Sequence, residues 1–236
     1  MAERMLIVNA DDFGLTAGVN AGVARTHEEG ILTSASLMVR WPAAEAAAAY
    51  AAQTPSLGVG LHVDLGEWEF RNGEWVQLYD VVDSGDPVAV EHEIRAQLDS
   101  FRRLMGREPT HIDSHQHVHQ HEPRPIFLRI ASELGVPLRE NTPGIHHMNF
   151  YGRTRRGARL GDGLSVELLL DCIGSLYRGV TELGCHPGIN EDTGSVYDRE
   201  RAQEVEILCD PRVRAALESR GVELGTFSDI DSPASA

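Results

Sequence analysis

The residues best suited to chemistry fall in four short stretches of the 236-residue chain. Asp11 and Asp12 follow directly on an apolar run over residues 5–10. Adjacent carboxylates repel unless a cation or a basic partner lies near. Such a pair reads either as a cation site or as a turn and helix cap ahead of Gly14. The second stretch, His111-Ile-Asp-Ser-His-Gln-His-Val-His-Gln-His121, holds five of the eleven histidines. From His115 onward they alternate, so an extended backbone would present them on one face. Neutral imidazole is the commonest protein metal ligand, although the spacing matches no zinc finger, and a solvated His-rich loop is the plain alternative. His62, with Asp64 two residues on, and His186, in Gly184-Cys-His-Pro-Gly188, complete the set. Each alone reads as a packed or turn residue; together they point to a divalent metal held by carboxylate and imidazole.

Other nucleophiles lack support. Cys185 reads as core, since a nucleophilic cysteine needs a base and an oxyanion site, and Ser34 and Ser36 lie outside any GxSxG elbow.

The elements that must position these residues alternate. Apolar runs at 5–10, 34–39, 57–63, 110–113, 136–139, 181–185 and 222–227 read as strands. Helical spacing fills most of the intervals, at 17–29, 42–52, 88–105, 125–134, 165–177, 199–208 and 211–220. Thr16 can cap the first helix, and Gly30, Gly106, Gly135 and Gly221 can end others. About seven strands joined by helical crossovers predict a parallel α/β sheet, closed as a (β/α) barrel or open and doubly wound. No GxGxxG follows the first strand, which removes the usual support for a dinucleotide fold. Chemistry in such folds gathers at the carboxyl ends of the strands, where Asp11, Asp12, His62, Asp64, His111, Asp113, His115, His117, Arg139 and His186 fall. Residues 66–86 break the rhythm: Asn72-Gly73 between alternating residues predicts a hairpin. Its Trp68 and Trp75 would either border a substrate cleft or pack on the barrel or a partner subunit.

Composition narrows the partners. Net charge is −15, from 21 Lys+Arg against 36 Asp+Glu, and an acidic surface repels phosphate backbones and anionic membranes. No nucleic acid is expected, and a neutral or cationic small molecule fits better. Arg153, Arg155, Arg156 and Arg159 form one local basic cluster. Three cysteines without CxxC spacing argue against a disulfide framework. No apolar run approaches the ~20 residues of a membrane span, and no signal peptide precedes residue 5, so a cytoplasmic protein is expected. Residues 1–230 read as one domain with the hairpin inserted, and 231–236 as a flexible tail.

Asn9-Ala-Asp-Asp-Phe-Gly14, Gly60-Leu-His62, Thr110-His-Ile-Asp-Ser-His115-Gln-His117-Val-His119 and Cys185-His-Pro-Gly188 resemble the YdjC-like carbohydrate deacetylases. That group includes chitooligosaccharide and hopanoid-associated deacetylases. The resemblance runs through nearly the whole chain, including Gly30-Ile-Leu-Thr-Ser34. It implies a distorted (β/α) barrel related to polysaccharide deacetylases, a homodimer, and one divalent metal on Asp12, His62 and His115, with His117 in reserve. It implies Asp11 as general base and His186 as general acid. Zinc suits two imidazoles and a carboxylate; magnesium, manganese and cobalt stay open. His111, Asp113 and His117 would orient the ligands or simply pack at strand ends. The chain departs from the chitooligosaccharide members after His62, at Val63-Asp64-Leu65 and in the hairpin that follows.

The expected function is metal-dependent removal of acetyl groups from N-acetylated sugars. A metal-dependent phosphoesterase or sugar isomerase on a similar barrel competes with it, the arginine cluster then binding phosphate. A metal- or sugar-binding protein without turnover is a third reading, which needs neither an acid nor a base.

Overall fold

Leu6 to Phe13 are buried without a break, the mark of a strand covered on both faces. This strand, β1 (Arg4–Phe13), is the centre of the molecule. The computed structural model describes residues 3–152, 154, 163–190, 193–194 and 197–230. The four arginines Arg153, Arg155, Arg156 and Arg159 and the segment 231–236 lie outside them.

After β1 come α1 (Ala17–Glu28), β2 (Ser34–Leu37), α2 (Ala44–Gln53), β3 (Gly58–Val63), β4 (Gly66–Arg71), β5 (Glu74–Asp80) and α3 (Pro87–Met105). Then follow β6 (Ile112–Ser114), a 3₁₀ turn (His115–Gln120), α4 (Arg124–Leu134), β7 (Ile145–Asn149), α5 (Val166–Gly174), β8 (Gly179–Cys185), α6 (Asp198–Leu208), α7 (Pro211–Ser219) and β9 (Val222–Leu224). Seven strands form one parallel sheet in the order β6-β3-β2-β1-β8-β7, with β9 also on β1. The expected parallel, barrel-like α/β fold is therefore present, with no pairing between β6 and β7 among the described residues. Helices pack on one another around it in the succession α3, α2, α1, α6, α5, α7.

Helix ends follow the local chemistry. Thr16 accepts the Val19 N–H at the start of α1, and Asp86 accepts those of Val88 and Ala89 at the start of α3. Gly106 ends α3 at φ 66°, which glycine adopts without Cβ strain. Among the described residues no helix is long and apolar enough to cross a membrane.

Two expectations need correction. Residues 136–139 are not a strand: Leu138 makes a single parallel bridge with Ile112. Ile112 donates to the Pro137 carbonyl and accepts from Arg139, but Pro137 has no N–H to extend the ladder. The strand that fills the sheet is β7, in a stretch read as loop. Its residues are only half-buried or exposed, so it lacks the apolar run that marks the others. The alternate histidines also do not share a face. Gln116 and His117 take left-handed φ of 52° and 56°, so the backbone coils and sends each ring to a different partner.

The hairpin stands where it was expected, β4 against β5 with Asn72 at φ 52° and Gly73 at φ 92°. Asp64 anchors it by accepting from Tyr79, Trp41 and the Gly66 N–H.

Close approach explains one glycine beneath the site. A Cβ on Gly60 of β3 would overlap the buried His111 ring, which reaches Ser36 from there. Gly60→Ala should lower stability by about 1–3 kcal/mol, the usual range for overpacking. Chemical denaturation measures this, and an unchanged midpoint would mean that the ring moves aside freely.

Candidate metal centre

The ends of β1, β3 and β6 build the site, with β2 between β1 and β3 in the sheet. In β1 the register against β2 advances from Ala10↔Ala35 to Phe13↔Leu37, one residue more on β1 than on β2. The extra residue is a bulge, which re-aims side chains; within it Asp12 adopts φ 64°. The bulge separates the two carboxylates expected from the sequence. Asp12 Oδ1 faces His115 Nδ1 at 3.0 Å and His62 Nε2 at 3.4 Å, while Asp11 turns toward Arg139, Tyr151 and His186.

Asp12, His62 and His115 each bring one ligand atom within 4.8 Å of the others. His62 is fixed from behind by its Nδ1, which donates to Asp113 Oδ1 at 2.7 Å. Such a bond leaves Nε2 as the free nitrogen. The donor set, two imidazoles and a carboxylate, suits a borderline divalent ion such as zinc. Asp11, His62 and Asp113 also converge, but there Arg139 already supplies a cation to both carboxylates. The Asp12 group fits a metal better, because its Oδ1 meets only imidazoles.

Charges in the site are set by burial against close partners. Burial alone would push Asp12 up, but Arg201 and His115 hold its carboxyl well below the usual range. Asp11 is likewise lowered against burial, mainly by Arg139, then by His62 and His186. Burial pulls His62 and His115 down, but Asp113 and Asp12 respectively outweigh it, and both rings hold protons more tightly than a free histidine. His186 goes the other way: burial pushes it to about 4, against the pull of Asp11 and Asp12.

The remaining expected residues have clear locations. Arg139 is 1% exposed and bonds Asp11, Asp113 and Glu182. Asp113 also accepts from Ser36 at 2.8 Å. His111 lies deeper, between Thr110 and Ser36, and burial lowers it to about 4. His117, the reserve ligand, meets Glu140 rather than Asp12. Trp68 packs against the core, and its backbone bonds both ways with the Gln116 amide. The hairpin is thereby clamped to the turn that carries His115, and Glu67 comes within 3.9 Å of His115 Nε2. Trp75 does not join it: the indole is 54% exposed and pairs with Phe70.

His186 approaches from a different side than its sequence position suggests. In the sheet β8 is the direct neighbour of β1, with Cys185 level with Ala10. The next residue on each strand is then His186 and Asp11, and Nε2 lies 3.6 Å from Asp11 Oδ2.

Several contributors were not read from the sequence. Arg201 bonds Asp12 Oδ2, and Glu204, three residues on, accepts the His186 backbone N–H. Burial lifts Glu204 to about 8. Both sit on α6, which turns Glu200, Arg201 and Glu204 inward; charged residues on a core-facing helix side were the available signal. Tyr151 donates to Asp11 Oδ2 at 3.1 Å and packs on His186, ring centroids 4.3 Å apart. Nothing in its Phe-Tyr-Gly context marks it.

Known proteins share this arrangement of elements. The family model described as YdjC-like protein matches residues 5–219. The chain is 34% identical to a carbohydrate deacetylase of Geobacillus stearothermophilus, over 96% of this chain and 98% of the relative. It is 35% identical to a chitooligosaccharide deacetylase of Klebsiella pneumoniae, over 97% and 100%. A solved Enterococcus faecalis protein, provisionally described by cellobiose-phosphate cleavage, superposes with a TM-score of 0.75 at 26% identity, covering 96% of this chain and 98% of that one. A family 4 carbohydrate esterase of Streptomyces lividans, 12% identical, shares the fold at a TM-score of 0.59, covering 96% and 94%. With the matched region spanning the sheet from β1 to α7, the chain belongs to the YdjC-like family.

Proposed function

We propose that this protein is a metal-dependent hydrolase that removes acetyl groups from N-acetylated sugars or short oligosaccharides. The relatives named carbohydrate deacetylase and chitooligosaccharide deacetylase support the reaction class. The observation that carries the reading is the convergence of the Asp12–His62–His115 group with an Asp11–His186 pair on adjacent strands. Binding alone would need no such proton-handling pair.

Asp12, His62 and His115 would hold the ion. When bound, it supplies a Lewis acid for the acetyl carbonyl and eases deprotonation of water. The chain's own residues do the rest. Asp11 is ionised and held still by Arg139 and Tyr151, so it accepts the proton of the attacking water at Oδ2. Water oxygen bonds the acetyl carbon, the carbon–nitrogen bond breaks, and the sugar nitrogen takes up a proton. His186 delivers that proton. Its resting imidazole is neutral at pH 7, so the proton must first reach it, and the nearest source is Asp11, 3.6 Å away. One proton then serves both steps.

The direct test is acetate release from a panel of N-acetylated mono- and oligosaccharides with zinc, cobalt, manganese or magnesium added to metal-free protein. Activity on phosphate esters but on no N-acetyl sugar would remove the proposal.

Two predictions follow from the geometry. His62 and His115 bind protons tightly in the metal-free site, and a metal must displace them. Affinity should therefore rise with pH, by about tenfold per unit for each proton released. Calorimetry in buffers of different ionisation enthalpy should count one to two protons; zero protons would mean that these rings are not ligands. His62→Ala should lose affinity by about 100-fold or more, since even outer partners of ligands are worth 10–100-fold. Asp11→Asn and His186→Ala should each lower kcat by roughly 10²–10⁴ with metal content retained. If one proton passes between them, Asp11→Asn/His186→Ala should be little worse than either single variant. Fully multiplicative losses would show two independent proton transfers.

A further inference from the structure

The histidine-rich turn carries more imidazole than the Asp12 group uses. His119 is 1% exposed. Its Nδ1 lies 2.8 Å from Ser114 Oγ, which also accepts the His119 backbone N–H. Its Nε2 is buried and has no hydrogen-bond partner. A buried nitrogen left bare is costly, and burial lowers this ring to about 4, so it is neutral with a free lone pair.

Glu140 supplies a carboxylate beside it. Its Oε2 is held by Gln120 Nε2 at 2.8 Å. Its Oε1 is buried and makes no hydrogen bond, although His117 Nδ1 stands 2.7 Å away and His147 Nε2 3.2 Å. These are close approaches without hydrogen-bond direction. The carboxyl is nonetheless ionised, because contact with His117 outweighs burial and brings it to about 2. One ligand atom each from His117, His119 and Glu140 lies within 4.8 Å of the others. The backbone is bent to bring them there, with His117 at φ 56° and Glu140 at φ 60°.

We propose that His117, His119 and Glu140 form a second divalent-cation site, distinct from Asp12, His62 and His115. Two imidazoles and one carboxylate favour zinc or a similar transition metal over magnesium or calcium, which prefer oxygen ligands. Ser114 on Nδ1 of His119 and Gln120 on Oε2 of Glu140 are the outer partners such ligands require. The site joins two segments that matter elsewhere: His117 is two residues past His115, and Glu140 follows Arg139. An ion here would pin the turn to the segment carrying the buried arginine, a structural role that does not depend on the deacetylase reading.

The experiment counts zinc per chain by elemental analysis after equilibration with zinc and removal of excess. Wild type should hold two. Asp12→Ala should hold one, as should Glu140→Gln, and Asp12→Ala/Glu140→Gln none. The zinc kept by Asp12→Ala should raise its Tm, and the rise should vanish in Asp12→Ala/His119→Ala. If Glu140→Gln does not fold, the count and zinc-dependent Tm of Asp12→Ala still decide. A wild-type count of one that falls to zero in Asp12→Ala overturns the proposal, as does a count that is the same in Asp12→Ala and Asp12→Ala/Glu140→Gln.

Discussion

One buried guanidinium organises the strand ends. Arg139 bonds Asp11 of β1, Asp113 of β6 and Glu182 of β8. All four side chains are 3% exposed or less. Three carboxylates against one cation leave an excess of negative charge in a low-dielectric interior, where an unpaired ion costs several kcal/mol. The balance comes from the next layer. His62 donates a hydrogen bond to Asp113, and Arg201 meets Asp12. A cation at Asp12 would extend the same pattern, so metal affinity there would be a property of the whole charge network rather than of three ligands.

Sheet order turns this network into a site. Because β8 lies directly on β1, the residue after Ala10 and the residue after Cys185 emerge side by side. Because β1 carries one extra residue against β2, Asp11 and Asp12 point to different partners although they are adjacent in the chain. Close packing holds the arrangement. A Cβ on Gly22 of α1 would come within 2.5 Å of the Gly188 Cα. Glycine at that point lets α1 press against the loop that carries His186.

The legible and illegible parts of the sequence divide along the same lines. Strands buried on both faces, such as β1 and β3, announce themselves as apolar runs, and polar residues at their ends mark the chemistry. Asp11, Asp12, His62 and the His-rich segment could be singled out because acids and histidines are unusual just past such runs, whereas the choice of Asp12, His62 and His115 among them rested on the family resemblance. β7 could not, because a half-exposed strand with two histidines has no run to read. Arg201, Glu204 and Tyr151 could not either: they reach the site through tertiary packing of α6 and of the chain after β7, which no local spacing encodes. The relative positions of Asp11 and His186 depended on strand order, and strand order is a long-range property.

That last point bears on the chemistry itself. An acid and a base on opposite sides of a substrate act independently, each with its own proton. Here the two groups are direct neighbours, with Tyr151 donating to one and packed at a tilt against the other. Burial keeps His186 neutral while Arg139 keeps Asp11 charged, so the pair has room for one proton, which in the proposed reaction would come from water. A sugar amide is a poor leaving group unless its nitrogen is protonated. In the proposed reaction, passing that proton on to the nitrogen would tie the second step to the first, and the adjacency of two strands in the sheet is what would allow it.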